Sequence, residues 1–214
     1  MKKLSLIPAL LLLSACVTPN VAVNPRADFA AIKRVAVLSF NGPQGDLAAD
    51  LMTQSLVARG ADVVERQRLA DVMREQSLSN SGSFDPATAQ KLGKLLGVDA
   101  LFVGTVSEST PQTSYLVTQA GGKSIFQPTT VTQVGGGSVY SEGSVMGIPN
   151  SQLLSTTANV SMLSRMVDVK TGTVLWSASM SYEGIDVQSA MSGITDAFVR
   201  SLAPIWPGLY NNPS

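Results

Sequence analysis

Histidine is absent from the 214-residue chain, and cysteine occurs once, at Cys16. Without histidine there is no imidazole to move protons near neutral pH, no Ser-His-Asp triad and no histidine metal ligand. A single thiol closes no internal disulfide and builds no thiolate metal cluster. Aromatic residues are scarce at 6% and charged residues at 14%, with 15 basic side chains against 15 acidic ones. That balance leaves no basic excess to attract a phosphate backbone, which removes nucleic acid from the partner classes. Long apolar runs are missing too. The most apolar stretch, Leu4 to Leu13, is well short of the ~20 residues that a spanning helix needs. Only carboxylate, Lys, Ser or Tyr chemistry survives these exclusions, so a non-enzymatic protein without metal or cofactor is expected.

The N-terminus is the most informative segment present. Met1-Lys2-Lys3 precedes the apolar stretch, and Leu13-Ser14-Ala15-Cys16 closes it. A charged start, an apolar middle and small residues before the cut describe a secretory signal peptide. With cysteine as the first residue after the cut, the segment resembles the bacterial lipoprotein signal. In such signals the cysteine thiol receives a diacylglyceryl group, the peptide is cleaved before it, and the new amine is acylated. Each buried methylene contributes about 0.8 kcal/mol, so several acyl chains on one residue hold firmly. Cys16 is therefore the expected lipidation site, with residues 1–15 removed and a membrane partner reached through the lipid. Loss of Lys2 and Lys3 leaves a mature charge of about −2. Residues 16–32 are rich in Pro, Asn and Ala without clear periodicity and are expected to form a tether. Val17 is not aspartate, which by resemblance to enterobacterial sorting favours the outer membrane, with the folded part facing the periplasm.

Beyond the tether, residues 33–208 are expected to form one α/β domain. The β-branched run from Arg34 to Phe40 predicts a strand. Asp46 is placed to cap a helix bearing Leu47, Leu51, Leu56 and Val57, ended by Gly60. A short strand is expected over 61–65, a helix from Arg66 to about Gln76 and a polar loop over 77–84. Asp85-Pro86 starts a further helix, an N-cap acid followed by proline at the first helical position, which ends at Gly97. The near-continuous apolar run from Val98 to Val106 predicts a strand covered on both faces. From Ser109 to Ser155 the only charged side chains are Lys123 and Glu142, so residues 109–155 are a flexible excursion or weak hairpins. A hairpin then runs from Thr156 to Tyr182, turning at Thr171-Gly172, with Val174, Trp176, Ala178, Met180 and Tyr182 on one face. Asp186 caps a last helix, and residues 209–214 are a tail. The expected fold is α/β, a mixed sheet with helices packed against it.

Candidate sites are sparse. Glu65-Arg66 follows the second strand, and Arg74-Glu75 recurs one helix later. Such a pair could orient a carboxylate, but no second clustered carboxylate or metal-ligand spacing accompanies it. Glu65 and Arg66 are therefore taken as a structural ion-pair junction. Gly93, Gly97 and Gly104 lack the spacing of a phosphate-binding loop. Asp168 belongs to a hairpin turn, and Trp176 with Tyr182 to a core-facing stripe.

Four blocks carry a family resemblance: RVAVLSF from Arg34, VVERQRLADVMREQ from Val63, KLGKLLGVDALFVGTV from Lys91 and VDVKTGTVLWSAS from Val167. Together they resemble the curli production assembly/transport (CsgG-like) family of outer-membrane lipoproteins, which includes holdfast-anchor and flagellar accessory members. The resemblance implies a periplasmic α/β domain assisting assembly or export of a surface structure, with protein partners in the cell envelope. In channel-forming members it also implies a homo-oligomeric ring in which each subunit gives two β-hairpins to a shared barrel. The first would correspond to residues 109–155. The second would lie between Tyr182 and the last helix, where only Glu183-Gly184-Ile185 is present. A secretion pore using residues 109–155 and a regulator of a cell-envelope enzyme are the alternative functions.

Overall fold

A computed structural model describes residues 18–65, 86–120, 123–129, 144–145, 148–149 and 151–209. Its first element, Asn20–Val23 (β1), lies inside the stretch expected to be a tether, and a 3-10 turn follows at Phe29–Ala31. Next come Arg34–Val37 (β2), Gly45–Ala58 (α1), Asp62–Val63 (β3), Pro86–Leu96 (α2) and Ala100–Thr110 (β4). The low-charge excursion holds Ser114–Ala120 (β5), Lys123–Thr129 (β6), Ser144–Val145 (β7), Ile148–Pro149 (β8) and Ser151–Ser155 (β9). Ala158–Asp168 (β10), Val174–Gly184 (β11) and Val187–Leu202 (α3) complete the order.

Six strands form one mixed, open sheet in the order β1-β11-β10-β4-β2-β3. β2 runs parallel to β3 and β4, whereas β10 is antiparallel to β4 and β11, and β1 is antiparallel to β11. The α/β fold expected from the sequence is the fold the chain adopts.

Burial explains which runs are continuous and which alternate. Val35 and Val37 of β2 enter a large core beneath α1 and α3, while Ala36 and Leu38 enter a smaller core with Leu96 and Val98. A strand covered on both faces has no need of polar alternation. Over most of their length β10 and β11 bury one face: Val160, Met162, Met166, Trp176 and Ala178 point inward. Beside the register shift at Met166/Val167 the phase breaks, and Val174, expected on the inward face, is exposed while Leu175 is buried. Ser161, Leu163, Arg165, Ser177, Ser179 and Ser181 take the opposite positions and are partly or fully exposed, as the period of two requires. In the large core, Phe102 and Phe198 meet Trp176 edge-on, with centroids 6.2 and 5.9 Å away. Such pairs contribute about 0.5–1.5 kcal/mol beyond area burial.

Four further expectations meet a different outcome. Residues 16–32 are not simply a tether, because β1 pairs with β11 from Asn20↔Ser179 to Val23↔Trp176, and Phe29 and Ile32 are buried. Four residues give too short a period for sequence alone to reveal that edge strand. Asp46 does not cap α1. The cap is Gln44 in the left-handed region (φ 55°), and Asp46 lies in the first turn, where its carboxylate accepts from Ser39 Oγ at 2.7 Å. Gly42 (φ 95°) lets the chain double back so tightly that the helix begins earlier. The strand expected over 61–65 is restricted to Asp62–Val63. The tail expected from 209 begins with a buried Leu209 packed in the large core. The helix expected from Arg66 to Gln76, its loop and Asp85 lie outside the described residues.

Candidate interaction surfaces

Of the residues singled out by sequence, Glu65 sits exposed just past β3. Arg66 and Cys16 lie outside the described residues, so the proposed junction and the lipidation site are not displayed. Gly97 ends α2 with φ 65°, the left-handed conformation of a helix C-cap. Asp168 is a turn-former: one oxygen, Oδ1, accepts from the amides of Lys170 and Thr171 at 2.8 and 2.7 Å and from Thr171 Oγ1 at 2.9 Å. Gly104 serves packing, for a Cβ there would run into the Phe40 ring. Trp176 is fully buried, and its indole N–H donates to Ser201 Oγ at 3.2 Å. Among the described residues, no group of three or more metal-ligating side chains converges. None of their helices is long and apolar enough to cross a membrane.

Three surfaces remain that could meet a partner. The first is a cleft of about 330 Å³ between α1 and α3, lined by Gln54, Ser55, Arg59, Ser192 and Asp196 among others. Arg59 donates to Asp196 at 3.1 Å, and Arg200 reaches the other Asp196 oxygen at 3.2 Å. The lining thus carries one cation and one anion, Arg59 and Asp196, with Arg200 bound to the far oxygen of that carboxylate. Ser55 Oγ is enclosed, without a partner among the described residues. Sequence pattern could not reveal this cleft, since its residues lie on two helices more than a hundred positions apart.

The second surface is the uncovered face of β4, β10 and β11. Thr105, Ser107, Ser161, Leu163, Ser179 and Ser181 line a shallow groove of about 580 Å³ there. Ser161 and Ser181 share a hydrogen bond of 2.7 Å, and Ser107 Oγ donates to the Ser161 carbonyl at 3.2 Å. The hydroxyls of this face are thus partly satisfied by one another.

The third is the end of the sheet from which the excursion departs. Thr110 faces Asn159, and Ala158 faces Gly184, so the roots of the excursion adjoin the β11–α3 turn. A neck closes the excursion: the Thr113 amide donates to Thr156 Oγ1 and the Thr156 amide to the Thr113 carbonyl, both at 2.9 Å. Beyond the neck, β5 pairs with both β6 and β9 in a separate three-stranded sheet. Among the described residues of the excursion, β5 and β6 pair as an antiparallel hairpin. At the β11–α3 turn, Ile185 is 85% exposed. Asp186 then caps α3: it accepts from the Ser189 amide at 2.6 Å, while Ser189 Oγ accepts from the Asp186 amide at 3.1 Å. The bonds from Ser189 hold the Asp186 carboxyl below its ordinary pKa.

The family model described as curli production assembly/transport component CsgG matches residues 18–200. Among solved structures, the PelC dodecamer from Paraburkholderia phytofirmans is similar at 17% identity, over 88% of this chain and 96% of that one, with a TM-score of 0.45. Lipoprotein GNA1162 from Neisseria meningitidis is 17% identical over 80% of this chain and 95% of that one, with a TM-score of 0.43. The LpoB C-terminal domain from Escherichia coli is 14% identical over 72% and 87% of the respective chains, with a TM-score of 0.39. No curated protein matches.

Proposed function

Because the chain belongs to the family of curli production assembly/transport components, we propose that it is a bacterial outer-membrane lipoprotein that assists assembly or export of a cell-surface structure. The family match over residues 18–200 is the observation that carries this reading. The Cys16 signal supports it independently, since acylation would hold the domain at the membrane from which surface structures emerge. The role proposed is non-enzymatic: binding and positioning of envelope proteins, through surfaces such as the α1–α3 cleft with its Arg59–Asp196–Arg200 network. Deleting the gene should deplete the served structure from the cell surface as seen by electron microscopy, and wild-type protein should restore it. An unchanged surface in the deletion strain would contradict the reading.

A secretion pore is the second reading, favoured by the antiparallel pairing of β5 with β6 from Ser114↔Thr129 to Ala120↔Lys123. Each strand has 7 residues, short of the ~9–11 a membrane-crossing strand needs. β6 also carries Pro128, which cannot donate to a sheet ladder. With only Ile185 between β11 and the cap of α3, a second hairpin has no place there. Assembly without a pore is thus the better supported of the two.

A further inference from the structure

We propose that the cleft between α1 and α3 is a carboxylate-binding site that takes an acidic side chain of a partner protein. The inference rests on the proposed role in binding envelope proteins. Three observations carry it. The first is the state of Arg59. Its side chain is only 16% exposed, yet the guanidinium makes a single bond, from Nη2 to Asp196 Oδ1 at 3.1 Å. Nε and Nη1 have no partner among the described residues and are not among the enclosed, unsatisfied atoms. They therefore keep open donors in the cleft that Arg59 lines. The carbonyls of Leu56 and Val57 do not compete for them, being taken by the amides of Arg59, Gly60 and Ala61.

The second observation is an unused hydroxyl one helical turn away. Ser55 also lines the cleft, and its Oγ is enclosed without a partner among the described residues. Other hydroxyls of these two helices bond back to carbonyls within a turn: Thr53 to Ala49 at 2.9 Å, Thr195 to Ser192 at 3.1 Å and Ser201 to Phe198 at 2.7 Å. Ser55 lacks that local outlet. The third is the saturation of the one acid in the lining. Asp196 has one oxygen on Arg59 and the other on Arg200, so its acceptor capacity is engaged and its charge is shared by two cations. The cleft is thus short of an acceptor. A carboxylate fits best, because a guanidinium fork meets its two oxygens with charge-assisted bonds. At about 330 Å³ the cleft is at the small end of ligand sites, roughly 300–1,000 Å³, and suits one side chain. Leu51 and Ala58 supply apolar lining for its methylenes.

The test is a nuclear magnetic resonance titration of the full-length, ¹⁵N-labelled protein in detergent micelles. The probe is N-acetylglutamate amide, which presents the acidic side chain alone. It should move the Arg59 Nε–H signal saturably, and loss of that signal in Arg59→Lys identifies it. N-acetylglutamine amide, the neutral twin, should move it far less at equal concentration. Ser55→Ala removes no existing hydrogen bond and should weaken the titration about tenfold, the worth of one bond to a charged group. Equal shifts from the acid and its neutral twin would overturn the carboxylate assignment. Tighter binding of N-acetylalanine, whose carboxylate mimics a chain terminus, would overturn the side-chain source. No saturable shift in a protein with an otherwise native spectrum would overturn the site alone, leaving the assembly role to the deletion strain. Saturable binding by a protein whose deletion leaves the surface unchanged would instead overturn the partner assigned to the site.

Discussion

The indole N–H of Trp206 donates to the backbone carbonyl of Ile32 at 3.1 Å, joining the residues after the last helix to the segment before the second strand. Both residues are buried, Trp206 at 1% exposure and Ile32 at 3%. The bond fixes the N-terminal segment against the large core, which is why the folded body begins before the second strand. Trp206→Phe keeps an aromatic ring but leaves the Ile32 carbonyl without its donor. The cost of a buried, unsatisfied acceptor is about 1–3 kcal/mol, expected as a lower midpoint in urea unfolding. An unchanged midpoint would show that water or another donor replaces the indole.

Gly104 and Phe40 form a second dependence, in which the absence of a side chain shapes the core. The Phe40 ring lies where a Cβ on Gly104 would stand. Gly104→Ala should therefore destabilise the domain by about 1–3 kcal/mol, the usual range for overpacking. In a Phe40→Leu background the smaller, more adaptable side chain should make the same substitution cost distinctly less. A double-mutant cycle measured by denaturant unfolding reads this coupling; additive effects would contradict the packing account.

Asp186 gives the fold a pH dependence of defined sign. Its folded-state pKa lies below the ordinary 3.8 because Ser189 donates to the carboxylate. A depressed carboxyl contributes stability that is fully present above the unfolded value and lost as pH falls through the folded one. Asp186→Ala should thus lower the unfolding midpoint at neutral pH, and the gap from wild type should close as the pH falls below 3.8. A gap that persists undiminished in acid would mean that the capping charge contributes nothing.

Much of the fold was legible in the sequence where one physical signal dominated. Arg34–Val37 and the first half of Ala100–Thr110 are strands because their apolar runs serve two buried faces. The alternation from Trp176 to Tyr182 follows from one buried face, a phase that Val174 (exposed) and Leu175 (buried) break at the start of the strand. Asp186 was legible as a cap because its side chain acts within three residues of its own position. Asp46 misled because the tight Gly42–Gly45 turn, a backbone matter, moves the helix start ahead of it. The edge strand Asn20–Val23 was hidden because its formation depends on a partner strand more than 150 positions away. The α1–α3 cleft was invisible for the same reason: Arg59 and Asp196 meet only after two helices pack.

Lipid attachment through Cys16 is the premise of the proposed role, and one experiment bears on it most directly. Wild-type protein and Cys16→Ala are expressed in the native host, the envelope is fractionated, and the N-terminal peptide of each is weighed by mass spectrometry. Wild-type protein should sediment with the outer membrane carrying an acylated Cys16, and Cys16→Ala should leave the membrane fraction. Recovery of Cys16→Ala in the outer membrane at the wild-type level would contradict lipid anchoring and favour insertion by residues 109–155 instead.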